Sequence, residues 1–122
     1  MNASDIEHVR DILECIEAID RAEVTVQRYG GDFDVAWVAL DAVQFRVVTI
    51  ADAVESLSLD LREDHPAVAW SDMARLRDLI GPPYDNLDPN TVRVSIGELV
   101  RALGSVCRAI LAESVRVGED EP

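Results

Sequence analysis

The sequence predicts an all-α protein, an antiparallel up-down four-helix bundle. Three observations carry that reading. Apolar residues recur at helical spacing in four separate stretches. Short links containing Gly, Pro, Asp and Asn separate them, so neighbouring helices should run antiparallel. The apolar 48% comes mainly from Ala, Val, Leu and Ile, and aromatics make up only 5%. With 122 residues the chain holds one core and is too short for two. Residues 1–116 read as that single domain and 117–122 as an acidic C-terminal tail.

Ser4 or Asp5 is placed to cap the first helix. Ile6, Val9, Leu13, Ile16 and Ile19 form its stripe, Ile12 widens it, and it runs to Gln27 or Arg28. Tyr29-Gly30-Gly31-Asp32 is the turn, where glycine permits the left-handed backbone of a helix stop. Asp32 or Asp34 starts a second, long helix. Trp37, Leu40, Val43, Val47, Ile50, Val54, Leu57 and Leu61 share one face of it. Val38, Phe45 and Val48 put apolar surface on another face. A helix apolar on two sides must be covered on two sides. Either the helix is central within the monomer, or a second subunit covers it and the protein is a homodimer.

Arg62-Glu63-Asp64-His65 reads as a polar link, with Pro66 suited to the first turn of the next segment. Ser71 then caps a third helix over residues 72–80, and Asp72 favours its positive start. Asp88-Pro89 is a helix start of the cap-then-proline kind. The last helix shows Val92, Ile96, Leu99, Val100, Leu103, Val106, Ile110 and Leu111 on one face.

The formal net charge of −13 is unevenly spread. Residues 1–74 carry 16 acidic and 5 basic side chains, whereas residues 75–116 carry 5 acidic and 6 basic. Every basic side chain is arginine. An acidic body repels nucleic acid at long range, so any RNA contact must be local, arginine-mediated and in the second half. Cys15 and Cys107 both fall inside helical patterns, where a buried core thiol is the ordinary case. No CxxC or Cys/His cluster suggests a metal, and no cofactor motif is present. The start of the chain is polar and acidic, unlike a signal peptide. The most apolar segment, residues 35–51, is interrupted by Asp41, Gln44 and Arg46, so no membrane span is expected. The expected location is the cytoplasm.

One stretch concentrates the chemistry: Arg75-Leu76-Arg77-Asp78-Leu79-Ile80-Gly81-Pro82-Pro83-Tyr84. Leu76, Leu79 and Ile80 point at a core, and Gly81 with the proline pair stops the helix. Arg77 and Tyr84 then come to one end of the molecule, where a guanidinium and a phenol can face a phosphate. The plainer reading makes Arg77 a surface arginine and Tyr84 an aromatic packed on the prolines.

The stretch resembles the signature of HEPN domains, most closely that of their HepT-like branch, Arg-(Asn/Asp)-x-x-x-His-x-Tyr. Arg77, Asp78 and Tyr84 match in register, and Pro82 stands where the family has histidine. Asp41-Ala42-Val43 through Ile50-Ala51-Asp52-Ala53-Val54 and Leu57-Ser58 is similar to the family's second helix. Leu61-Arg62, His65-Pro66 and Trp70 resemble its approach to the motif, and Tyr84 followed by Leu87-Asp88 its ending. The resemblance covers nearly the whole chain.

The resemblance implies metal-independent RNA cleavage, in which a ribose 2′-hydroxyl attacks the adjacent phosphate at a composite site of two paired subunits. Arg77 takes the charge-stabilising role there and Asp78 the polar position beside it. The family histidine would move the protons, and Pro82 cannot. His8 and His65 are expected at the opposite pole of the bundle, as surface or link residues. Trp37 and Trp70 are expected as core or interface anchors. In HepT-like toxin–antitoxin modules a minimal nucleotidyltransferase antitoxin attaches adenylate to the motif tyrosine, a role the resemblance carries to Tyr84. The expected protein is therefore a HepT-like component with a degenerate active site and a nucleotidyltransferase partner. The alternatives are a catalytically inactive HEPN module that binds RNA or protein, and a purely structural helical dimer.

Overall fold

The computed structural model describes the backbone of residues 2–79 and 88–120, and the side chains of 2–78 and 88–115. The described elements are α1 (Ala3–Arg28), α2 (Phe33–Ser56), α3 (Leu59–Asp64), α4 (Trp70–Ala74), a 3-10 segment (Arg75–Leu79) and α5 (Pro89–Asp120), with no strand among the described residues. Three long helices make the frame. The stretch from Leu57 to Leu79 supplies the fourth side of the bundle in short pieces.

The caps explain the boundaries. Asn2, rather than Ser4 or Asp5, caps α1, its side-chain oxygen accepting from the Asp5 N–H at 2.7 Å. Asp5 is otherwise engaged: its carboxylate accepts from the Ser58 N–H at 2.9 Å and the Ser58 hydroxyl at 2.6 Å. Gly31, at φ 81°, makes the left-handed turn after α1. Asp32 caps α2 by accepting from the N–H groups of Asp34 and Val35. Asp88 does the same for α5 by accepting from the Asn90 N–H, with Pro89 in the first position.

The second helix is shorter than expected. Leu57 is extended, and Ser58 caps the new helix α3 instead of continuing α2 to Leu61. The clamp on Asp5 explains the break. Ser58 donates to Asp5 and also accepts from the Leu61 N–H at 3.2 Å, so its backbone cannot stay helical. Leu57 and Leu61 still reach the core. The motif helix also differs. It begins at Trp70, Ala69 precedes it without a side-chain cap, and Ser71 is not the cap. The Trp70 indole fixes this entry by donating to the carbonyls of Arg62 and His65, both at 3.0 Å.

The core gathers Ile12, Ile16 and Ile19 of α1, Val43, Val47, Ile50 and Val54 of α2, and Ile96, Leu103 and Ile110 of α5. Each fully buried Ile or Leu contributes about 1.5–3 kcal/mol. Met73 and Leu76 plug the open side of this frame. Among the described residues nothing covers the second apolar face of α2: Val38 is 69% and Phe45 68% exposed.

Candidate functional site

Arg77 lies in the 3-10 segment. Met73, in the preceding helix α4, and Leu76, in the 3-10 segment, are both buried and turn this side of the chain to the core. Arg77, next in sequence to Leu76, points outward and pairs with Asp52 of α2. The two side chains are 45% and 58% exposed. An ion pair this open contributes about 0–1 kcal/mol to stability. Its larger consequence is orientation: a flexible side chain is held along α2, and the rest of its half-exposed guanidinium has no other partner among the described residues.

Asp52 is the partner of Arg77 that the sequence did not point to. It stands one and two turns beyond Val48 and Phe45 on α2, so the ion pair lies at the end of the uncovered apolar strip. No spacing rule links positions so far apart in sequence. The signal that could have found Asp52 was an outward-facing carboxylate interrupting an apolar face.

Asp78 turns away from this pair and lies 3.9 Å from Arg75, with both side chains largely exposed. Pro82 and Tyr84 lie outside the described residues, as do Ile80 and Gly81. Whether Arg77 and Tyr84 share one end therefore also falls outside them.

The expected separation of Arg77 from the pole that holds His8 and His65 needs correction. It assumed a third helix that crosses the bundle. Instead α3 has six residues and α4 five, so α3 rises only about 9 Å. Asp52 sits near the end of α2, the end that Ser58 ties to Asp5 at the start of α1. Arg77 consequently lies toward that same end. His65 closes α3 and lends its carbonyl to Trp70.

Both cysteines are free and buried. Burial pushes the Cys107 thiol up to about 12. Burial also raises Cys15, against the opposing pull of the Arg46 guanidinium, whose Nη1 lies 3.9 Å from the sulfur. Both stay protonated at neutral pH, so neither is poised as a nucleophile. Among the described residues, no group of three or more His, Cys, Asp and Glu is arranged to hold a metal ion. No described helix is long and apolar enough to cross a membrane.

Comparisons with known proteins bear on this geometry. The family described as "Ribonuclease HepT-like" matches residues 12–110. A "Probable ribonuclease HepT" of Thermococcus cleftensis is 25% identical over 105 residues, 84% of this chain and 92% of that protein. A "Gamma-glutamylcyclotransferase and putative RNase" of Methanocaldococcus jannaschii is 31% identical over 81 residues. That match covers 66% of this chain but only 36% of the relative, so the chain spans about a third of its length. No solved structure matches. The family match runs from the first helix to the last and includes Asp52 and Arg77: the chain belongs to the ribonuclease HepT-like family.

Proposed function

We propose that this protein is the HEPN component of a toxin–antitoxin type module, with a phosphate-facing arginine and a degenerate cleavage site. The observation that carries the proposal is the half-exposed Arg77 guanidinium, held by Asp52 at the end of the apolar strip of α2. A second copy docking on Val38, Phe45 and Val48 would cover the strip and bring two Arg77 side chains near each other, as a composite RNA site requires. The negative body favours contact with RNA only where arginine is presented locally.

Cleavage by 2′-hydroxyl attack needs a group to remove the hydroxyl proton and one to protonate the leaving oxygen. Arginine stays protonated and stabilises charge, but it cannot serve as a base at neutral pH. Proline can neither accept nor donate a side-chain proton, and a phenol with an ordinary pKa of about 10 is a poor base. The expected outcome is RNA binding with weak or no cleavage. Losing a general base costs roughly two to four orders of magnitude in rate.

The test is Pro82→His, assayed on single-stranded RNA in chelator. Gained cleavage that Arg77→Ala then abolishes supports a degenerate ribonuclease site. Efficient cleavage by the natural protein that Arg77→Ala removes would sink the degenerate reading. A second reading is favoured by Pro82 itself: a binding module that never cleaves. It predicts that Pro82→His gains nothing while Arg77→Ala still lowers RNA retention. The proposed partner is a minimal nucleotidyltransferase that adenylylates Tyr84. With the product of a neighbouring nucleotidyltransferase gene and ATP, the chain should gain one adenylate, and Tyr84→Phe should not.

A further inference from the structure

Arginines of the second half also gather at a place remote in sequence from the Arg77 motif. A cleft of about 300 Å³ runs between α1 and α5. Arg93, Arg101 and Arg108 line it from α5, and Asp20 and Glu23 line it from α1. Gly97 and Gly104 fall between the arginines: the space over Gly97 is open, whereas Gly104 lies against Ile16 and the Arg108 guanidinium. The three arginines recur at about two-turn intervals, roughly 10–12 Å of helix rise between neighbours.

The arginines differ in what holds them. Arg93 is 3% exposed; its Nε donates to Glu23 at 2.6 Å and its Nη1 to the Asn90 side chain at 2.8 Å. That leaves Nη2 without a hydrogen-bond partner among the described residues, on a nearly buried side chain that lines the cleft. Arg101 and Arg108 pair with no carboxylate among the described residues. A nearly buried guanidinium with a spare donor and two exposed, unpaired ones along the same cleft form an anion-binding set. Asp20 and Glu98 line the same cleft and would repel a bare polyanion. A ligand that suits both signs carries a phosphate and also hydrogen-bond donors, such as ribose hydroxyls or a base amino group.

We propose that the α1–α5 cleft binds a nucleotide unit, its phosphate between Arg101 and Arg108, a ribose or base oxygen on the spare donor of Arg93, and its hydroxyl or amino donors on Asp20 or Glu98. The unit comes either as a free nucleotide or as part of an RNA strand; both carry the same chemistry. This site is distinct from the Arg77–Asp52 pair and does not depend on it.

The experiment titrates the full-length protein with adenosine monophosphate, with a short single-stranded RNA and with inorganic phosphate, and reads the Gly97 and Gly104 backbone amides by NMR. Three variants accompany it. Arg101→Ala and Arg108→Ala remove the phosphate donors. Gly97→Leu fills the cleft: a Cβ there meets nothing within 4 Å, and leucine favours the helix, so the fold is kept. Arg10→Ala, on the exposed side of α1, is the control. The expected result is saturable movement of both amides with the nucleotide or the RNA, and none with phosphate alone. Each arginine variant should weaken binding roughly tenfold, Gly97→Leu should abolish it, and Arg10→Ala should leave it unchanged. Saturation by adenosine monophosphate identifies a free-nucleotide site; saturation by RNA alone identifies a strand-binding one. The proposal is overturned if neither ligand moves the amides, if phosphate moves them equally, or if the arginine variants bind as tightly as the natural protein.

Discussion

The three long helices and the stretch that joins α2 to α5 are held in place by different means. α1, α2 and α5 bury continuous apolar stripes, and polar side chains cap their starts. The stretch from Leu57 to Leu79 is built of pieces five or six residues long. Individual contacts hold it: Asp5 on Ser58, Trp70 on two carbonyls, and Met73 and Leu76 in the core. The motif arginine sits on this second kind of structure. A frame of long helices tolerates little change, whereas a locally pinned segment can carry an outward-facing functional group at little cost to the core.

The sharpest way to break this comparison is to truncate one buried residue of each kind. Ile50→Ala, at the centre of the frame, should destabilise by about 2–5 kcal/mol, with loss of cooperative unfolding as the extreme outcome. Leu76→Ala removes a residue equally buried. Its expected cost is about 2 kcal/mol, at the low end of that range, because a short segment collapses onto a cavity more readily. Urea melts measure both, and amide exchange reports where protection is lost. If Leu76→Ala equals Ile50→Ala in cost and loosens α1 and α5 alike, the stretch belongs to the same cooperative unit and the distinction fails.

Next in size is the clamp at the break. Asp5→Ala strips two hydrogen bonds from Ser58 and leaves its half-buried N–H without a partner. A loss of about 2–3 kcal/mol is expected, with faster amide exchange concentrated in α3 and α4. Asp5→Asn should recover part of it, since an amide oxygen can still accept. An exchange pattern raised evenly through α1 and α5 instead would show that the clamp serves the frame.

A pH effect separates the two regions from another side, because both cysteines lie in the frame. The native Cys107 thiol keeps its proton to about pH 12, while an unfolded chain gives it up near its ordinary value of about 8.5–9. Above that value the unfolded state binds fewer protons than the native state, so stability falls as pH rises. By about pH 10.5 the loss should be about 2 kcal/mol. Urea melts at about pH 8 and about pH 10.5 check this, and Cys107→Ala should remove most of the difference. An unchanged slope in that variant would assign the alkaline loss to other groups.

Much of the frame was legible because period and caps are local signals. The stripes of α1, α2 and α5, the turn at Gly31, and the starts at Asp32 and Asp88 follow from residues within one or two turns of each other. The break at Leu57 was not legible, since nothing near Ser58 announces that Asp5, at the other end of the chain, will claim its hydroxyl and N–H. The cap at Asn2 was missed for the same reason: Asp5 looked free to serve. At the candidate site the register of Arg77 and Asp78 with the family motif was visible. The Asp52 carboxylate that meets Arg77 and the arginine set along the α5 cleft were not, because both are products of packing.

The smallest expected stability change tests the functional half of the comparison. Asp52→Ala removes a half-exposed ion pair, so the melt should move by less than about 1 kcal/mol. RNA retention should fall severalfold all the same, because an untethered Arg77 must be ordered anew on each encounter. Asp11→Ala is the matched control: it deletes the same charge from an exposed site on α1, away from the apolar strip of α2, and reduced repulsion should raise RNA affinity slightly. Arg77→Ala and the double variant complete a cycle. If Asp52 acts by holding Arg77, the double variant is no worse than Arg77→Ala, and the two losses are strongly non-additive. Tighter RNA binding by Asp52→Ala than by Asp11→Ala would reverse the assignment. The carboxylate would then be a competitor that RNA must displace from Arg77, and the locally pinned segment would hold its arginine closed rather than presented.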